Sequence, residues 1–145
     1  MDLLVNLRRT VRLSPDAPAI VDGDVRKTWR EYDQATRDLA AGLVALGAQP
    51  GDRIAILALN GYRYAELFYG VLRMGGIIVP LNTRAAPAEQ VYTINDSEAT
   101  ILFVDATFLP MLQGIASLLP TVRHTILMGD GECPAGMHSY QAMLD

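Results

Sequence analysis

Apolar residues recur along this chain with two spacings, one typical of helices and one typical of buried strands. Between residues 28 and 47 the apolar side chains fall three or four positions apart, which places them on one face of a helix. Thr28 and Glu31 match the capping box, in which each side chain accepts a hydrogen bond from the other residue's backbone amide. Other runs are apolar at nearly every position, which is typical of strands covered by helices on both faces. These runs are residues 53–59, 77–80, 100–105 and 125–128.

Helical segments separate these runs, so the chain predicts alternating strands and helices. The further predicted helices are an amphipathic one before residue 14, then residues 62–74, 88–95 and 106–119, the last interrupted at Pro110, and one that Ser139 is expected to cap. A short hairpin is predicted at residues 19–27. Strands joined through helices form parallel sheets with right-handed crossovers. The pattern therefore predicts an α/β fold, a three-layer subdomain with a mainly parallel sheet of about four strands and a small amino-terminal hairpin.

The junction at residues 72–84 joins a predicted helix to a strand and a polar loop. Gly75 can adopt the left-handed conformation that ends a helix, and Gly76 lets neighbouring chain segments approach closely. Residues 77–79 are consecutive β-branched residues, which predicts a strand buried on both faces. Pro80 ends that strand and leaves residues 82–84 in the loop at its carboxyl end. Open α/β sheets bind their ligands at this end of the strands.

Composition restricts the classes of function. Half of the 145 residues are apolar and 19% are charged, which excludes a disordered chain. The net charge is −4, and the only basic cluster is Arg8, Arg9 and Arg12, so a nucleic-acid partner is excluded. Lys27 is the only lysine and is a poor candidate for chemistry, while Cys133 is the only cysteine and cannot form an intrachain disulfide. No apolar run approaches the roughly 20 residues that span a bilayer, so we expect a cytoplasmic protein without a transmembrane segment.

Most polar residues near the predicted strand ends fit structural roles. Asp52 is expected to fix the turn before a strand, Asp105 to cap the following helix, and Asn82 to shape a turn by bonding its own backbone. His124 and His138 have no partners at the spacing of metal ligands. We therefore assign no catalytic residue and no metal ligand.

Four sequence motifs follow one another between residues 28 and 97. They are residues 28–32, residues 51–56, residues 72–82, and the set Arg84, Glu89, Tyr92 and residues 96–97. In this order and spacing they resemble the amino-terminal part of acyl-CoA synthetases (long-chain fatty acid-CoA ligase-like), within the AMP-forming superfamily of adenylate-forming enzymes. The combination of residues 81–84 with Glu89 and Tyr92 is most similar to ligases for fatty or other organic acids.

The resemblance implies a two-step reaction in a longer enzyme. A carboxylate attacks ATP to give an acyl-adenylate and pyrophosphate, and the thiol of coenzyme A then displaces AMP; ATP, Mg²⁺ and coenzyme A are the implied cofactors. The family's Ser/Thr- and Gly-rich phosphate loop with its lysine has no counterpart in residues 1–145. We therefore expect residues 1–145 to be the amino-terminal part of the large AMP-binding domain, inactive alone and without tight cofactor binding. The expected partners are the remainder of the enzyme and a small carboxylic acid, and a homodimer is left open.

Arg84 is the one residue to which the resemblance gives a ligand role, a contact with the nucleotide part of coenzyme A. A charge-assisted bond to a phosphate contributes about 1.5–3 kcal/mol. The alternatives from the residues alone are a solvated loop arginine and an ion pair with Glu89. For the chain as a whole, the alternatives are part of an amino-acid adenylation domain and a self-standing α/β binding or interaction module without catalysis.

Overall fold

The computed structural model describes residues 3–145 and contains the predicted alternation of strands and helices. In chain order the elements are α1 (Leu4–Leu13), β1 (Pro18–Asp22), β2 (Val25–Thr28), α2 (Trp29–Ala45), β3 (Arg53–Leu57), α3 (Tyr62–Met74), β4 (Ile77–Pro80), α4 (Pro87–Asp96), β5 (Ile101–Asp105), α5 (Leu109–Ile115), β6 (His124–Met128), β7 (His138–Ser139) and α6 (Tyr140–Leu144). Short 3₁₀ turns, Ala106–Phe108 and Ala116–Leu118, flank α5. Pro110 lies in the first turn of α5, which explains why this helical segment is broken.

Five parallel strands form the main sheet, in the order β4-β3-β5-β6-β7. Ile54 of β3 lies opposite Ile78 of β4 on one side and Ile101 of β5 on the other. The hairpin β1–β2 is a separate antiparallel pair. The predicted fold class is confirmed. The sequence predicted about four strands because β7 has only two residues and is too short to produce an apolar run.

Helices cover both faces of the sheet and make two cores. Ile54 and Ile56 of β3 point toward α2, α3 and α6, where they join one apolar cluster. Ala55 and Leu57, at the alternate positions, belong to the cluster beneath α4 and α5. A third cluster, centred on Tyr32, holds α1 and the hairpin against α2 and α3. The sheet is therefore the middle layer of three, as predicted.

Most predicted helix starts are confirmed. The amide of Glu31 donates to Thr28 Oγ1 at 3.3 Å, and the amide of Thr28 donates to Glu31 Oε2 at 2.7 Å, which completes the capping box. The hydrogen bonds from Thr28, that of its backbone amide above all, lower the pKa of Glu31. Asp105 caps the next turn by accepting from the amide of Thr107 at 3.1 Å. Ser139 precedes α6, but its side chain makes no capping bond, so that prediction is wrong.

Strand β4 is less buried than its sequence predicts. It pairs only with β3 and therefore lies at the edge of the sheet. Ile77 is 50% exposed, and Ile78 and Val79 are only partly buried. The prediction of burial on both faces is wrong because helices cover an edge strand incompletely, whatever its residues are.

Two close approaches in this region depend on glycine. Gly75 ends α3 with φ 84°, the left-handed conformation that was predicted. A Cβ on Gly76 would lie 2.7 Å from Met74 Cε and 2.9 Å from Val71 Cγ1. A Cβ on Gly70 would lie 2.8 Å from the Cβ of Leu39, so α2 and α3 are in close contact there.

Gly76→Ala should destabilise the chain, whereas Gly114→Ala should not. The new methyl group at position 76 meets Val71 and Met74, and overpacking of this kind costs about 1–3 kcal/mol. Gly114 lies in α5, and a Cβ built there has no heavy atom within 4 Å. Alanine in a helix is favoured over glycine by roughly 0.5–1 kcal/mol, so this control should be neutral or stabilising. Urea denaturation measures both, and equal stabilities would contradict the close approach at Gly76.

Candidate functional site

The carboxyl ends of the strands form the candidate site because the direction of winding reverses there. From β3 the chain passes through α3 to β4, and from β4 it returns through α4 to β5, on the other side of β3. Open α/β sheets bind ligands in the crevice beside such a reversal. In this chain the crevice has a volume of about 130 Å³, and its lining includes Asp22, Asn60, Arg63, Asp105 and Met128.

The charged groups of this crevice already have protein partners. Asp22 Oδ2 accepts from the amide of Tyr62 at 2.9 Å, so the hairpin satisfies a free amide at the start of α3. Arg63 forms an ion pair with Asp130, and Asp105 caps its own turn. The crevice is thus a point where the hairpin, α3 and the loop after β6 are joined, and we assign it no ligand.

A neighbouring cleft lies beside the loop that follows β4. It has a volume of about 290 Å³ and is lined by residues 58–60, Tyr64 and residues 81–83. Leu81 is buried and fixes the start of the loop, while Asn82 is exposed. The segments that follow the neighbouring strands β3 and β4 therefore line the same cleft.

The loop at residues 82–86 is held in one shape by its own hydrogen bonds. Asn82 Oδ1 accepts from the amide of Arg84 at 3.0 Å, which confirms the predicted turn. The carbonyl of Asn82 accepts from the amide of Ala85 at 3.0 Å and from Gln90 Nε2 at 2.7 Å. Gln90 is 1% exposed, and its role was not predicted. The sequence signal that could have indicated its burial is its position four residues before Ile94, which places both side chains on the same face of α4.

Arg84 itself is exposed at this loop. Glu89 does not pair with it; the Glu89 carboxylate instead accepts from the amide of Ala86 at 2.8 Å. Among residues 3–145, no carboxylate lies within the 4.0 Å of an ion pair with Arg84. Of the two structural alternatives for Arg84, the structure therefore favours the solvated loop arginine. Its guanidinium is available to an anion.

Glu66 is a buried carboxylate in α3. It is fully buried, forms an ion pair with Lys27 and accepts from the hydroxyl of Tyr140 at 2.7 Å. Burial, followed by the charge of Glu66, raises the pKa of Tyr140, which keeps this hydroxyl a neutral donor. Sequence reasoning did not identify Glu66 because its partners lie 39 and 74 positions away. The only lysine of the chain is thus part of the fold.

A second buried ion pair joins α2 to α3. Arg73 pairs with Asp33 and donates through Nε to Thr36 Oγ1 at 2.8 Å, and Arg37 Nε donates to Asp33 Oδ2 at 2.8 Å. Burial lowers the pKa of Arg73, and the charge of Asp33 opposes that shift. These groups have structural partners, so we assign them no chemistry.

The two histidines are neighbours, which their spacing in the sequence did not indicate. His124 Nδ1 and His138 Nε2 lie 3.1 Å apart, because β7 pairs alongside β6. Within residues 3–145 there is nevertheless no group of three or more His, Cys, Asp or Glu side chains that could hold a metal ion. Asp52 has the predicted role, since its carboxylate accepts from the amide of Gln49 at 2.9 Å and pairs with Arg123 at 3.2 Å. No helix in the described part of the chain is long and apolar enough to cross a membrane.

Comparison with known proteins gives one consistent family. The family model described as AMP-binding enzyme matches residues 7–143. The 3-methylmercaptopropionyl-CoA ligase of Ruegeria lacuscaerulensis is 40% identical over 109 residues, which are 74% of this chain and 20% of that protein. The long-chain-fatty-acid–CoA ligase of Thermus thermophilus is 37% identical over 119 residues, which are 82% of this chain and 22% of that protein. The chain thus spans about a fifth of the length of these curated relatives.

A solved structure has the same fold. The crystal structure of the anthranilate CoA ligase AuaEII in complex with anthranoyl-AMP matches with a TM-score of 0.94 and 26% identity. The match covers 99% of this chain and 28% of that protein. The architecture described above is therefore one segment of a larger enzyme in that structure.

Glu66→Gln should destabilise the chain far more than Glu98→Gln. The first change leaves Lys27 without its counterion, and breaking a buried ion pair by removing one partner costs about 3–5 kcal/mol. Glu98 pairs with Arg53 at 3.7 Å on the surface, where such a pair contributes about 0–1 kcal/mol. Urea denaturation of both variants checks the difference. If Glu66→Gln unfolds with the same free energy as Glu98→Gln, the buried ion pair does not hold the fold together.

Proposed function

The chain belongs to the AMP-binding enzyme family, and we propose that it forms the amino-terminal part of the large domain of an ATP-dependent carboxylic acid–CoA ligase. The observation that carries the proposal is the 37–40% identity to two acid–CoA ligases over 109–119 residues. The structural likeness to a third acid–CoA ligase over 99% of this chain supports it.

The proposed substrate class is a carboxylic acid, and a fatty acid is our narrower proposal. The two curated relatives are named for chemically different acids, a sulfur-containing short acid and a long-chain fatty acid. The fatty-acid proposal is supported by the second relative and by the motif that Arg84, Glu89 and Tyr92 form with the loop after β4. We also propose a cytoplasmic location, in keeping with the single cysteine of the chain.

The proposed reaction has two steps. A carboxylate oxygen of the acid attacks the α-phosphorus of ATP, the acyl-adenylate forms, and pyrophosphate leaves. The sulfur of coenzyme A then attacks the acyl carbon, a thioester forms, and AMP leaves with the electrons of the broken acyl–oxygen bond.

The described residues do not fit a site for ATP and Mg²⁺. Within residues 3–145 no cluster of acidic or histidine side chains could hold a metal ion, and the only lysine, Lys27, is paired with Glu66. We therefore place those cofactors on the remainder of the enzyme and derive no chemical step at this chain. The proposed contribution of the chain is a rigid sheet edge and one exposed cation.

The loop that carries Arg84 is ordered in a way that favours binding of a phosphate. Its backbone is fixed by Asn82, and Asn82 is in turn fixed by buried Gln90, so the guanidinium starts from an ordered loop. Such ordering lowers the entropy that a charge-assisted bond must overcome. We propose that Arg84 binds a phosphate of the nucleotide part of coenzyme A.

The whole enzyme and this chain alone should differ in activity. The enzyme that carries these residues at its amino end should release pyrophosphate from ATP with a fatty acid and form AMP and a thioester when coenzyme A is added. The chain of 145 residues alone should release none, because it has no phosphate loop. Coupled pyrophosphate detection and thioester chromatography check both. Activity with amino acids alone, or pyrophosphate release by the isolated chain, would contradict the proposal.

Arg84→Ala in the whole enzyme should raise the KM for coenzyme A about tenfold or more and leave the KM for ATP unchanged, since one charge-assisted bond is lost. The matched control is Arg53→Ala, another exposed arginine, at the opposite end of the sheet. Steady-state kinetics with each substrate varied checks the difference. An unchanged KM for coenzyme A would contradict the proposed role of Arg84 but not the proposed ligase activity.

A further inference from the structure

The outward face of helix α1 carries both arginines and exposed aliphatic residues. Its inward face is anchored by Leu4 and Leu7, which are buried in the cluster around Tyr32. Residues 5, 9, 12 and 13 lie within about 100° of one another on the opposite face, at 3.6 residues per turn. Val5 and Leu13 on that face are 54% and 68% exposed.

The charge of α1 is opposite to that of the chain. Residues 3–15 contain three arginines and no acidic residue, although the net charge of the protein is −4. Arg9 and Arg12 are exposed, and neither forms an ion pair with a carboxylate of residues 3–145. By contrast, the exposed Arg30 pairs with Asp16. The outward face of α1 therefore combines two arginines that pair with no carboxylate of residues 3–145 and two exposed aliphatic side chains.

We propose that the outward face of α1, formed by Val5, Arg9, Arg12 and Leu13, docks on a membrane surface rich in anionic lipid headgroups. A helix that lies in a membrane interface places cationic side chains among the headgroups and apolar side chains at the level of the first methylene groups. The face presents both chemistries at neighbouring positions. A nucleic acid would contact the two arginines but would leave Val5 and Leu13 exposed to water. A lipid surface would contact both the charged and the apolar side chains of the face.

The expected attachment is peripheral and reversible. One short helix with two exposed aliphatic residues provides little apolar area, and each arginine near an anionic surface strengthens binding about fivefold. Salt should weaken the attraction because the screening length falls from about 10 Å at 0.1 M to about 3 Å at 1 M. This inference does not depend on the proposed ligase activity.

The experiment is co-sedimentation of the whole protein that contains this chain with unilamellar vesicles of phosphatidylcholine alone or mixed equally with phosphatidylserine. We expect binding to the mixed vesicles at low salt, little binding to phosphatidylcholine, and loss of binding at about 1 M salt. Arg9→Gln with Arg12→Gln should weaken binding to the mixed vesicles about 25-fold, the product of two fivefold effects. Val5→Ser with Leu13→Ser should weaken it as well.

The matched control is Arg53→Gln with Arg123→Gln, which removes the same charge from exposed positions at the amino end of the sheet. It should bind as the unchanged whole protein does, and circular dichroism should show that every variant remains folded. Equal binding by the α1 double variant and the control would overturn the proposal, as would equal binding to both vesicle types. Self-association of the whole protein without vesicles, abolished by the α1 variants, would overturn the proposal and assign the face to a second copy.

Discussion

A buried carboxylate needs hydrogen-bond donors wherever water is excluded, and Glu66 finds them in segments far away in the chain. Lys27 comes from the hairpin and Tyr140 from α6, so three separate parts of the sequence must be in place before this charge is compensated. The hairpin also supplies Asp22 to the start of α3. The position of α3 over the sheet, and with it the loops at the carboxyl edge, therefore depends on a set of polar contacts as well as on apolar packing.

The fold was predictable because its determinants are local. Runs such as residues 101–105 have no polar face, and the capping box at Thr28 begins α2 where the sequence indicates. The glycines at the end of α3 likewise act through their own backbone geometry and immediate neighbours. Such signals can be recognised in a short stretch of sequence. They were therefore sufficient to predict the succession of strands and helices along the chain and to show the resemblance to a family.

The candidate site was only partly predictable because its contacts are long-range. Asn82 acts on its own loop and was identified, whereas Gln90 looks like an ordinary polar helix residue until α4 packs against that loop. The proximity of His124 and His138 depends on β7, which the apolar pattern does not reveal. The exposure of Ile77 follows from the place of β4 in the sheet order, and no property of the residue itself encodes that place.

The close contact between α2 and α3 at Gly70 shows how an absent side chain can shape a distant opening. With no Cβ at this position, the backbone of α3 lies almost directly on Leu39. A helix moves largely as a rigid body. The distance between α3 and α2 at Gly70 therefore also affects the position of the first turn of α3, which carries Tyr64 into the lining of the cleft. The width of that cleft therefore depends in part on Gly70, a residue that does not line it.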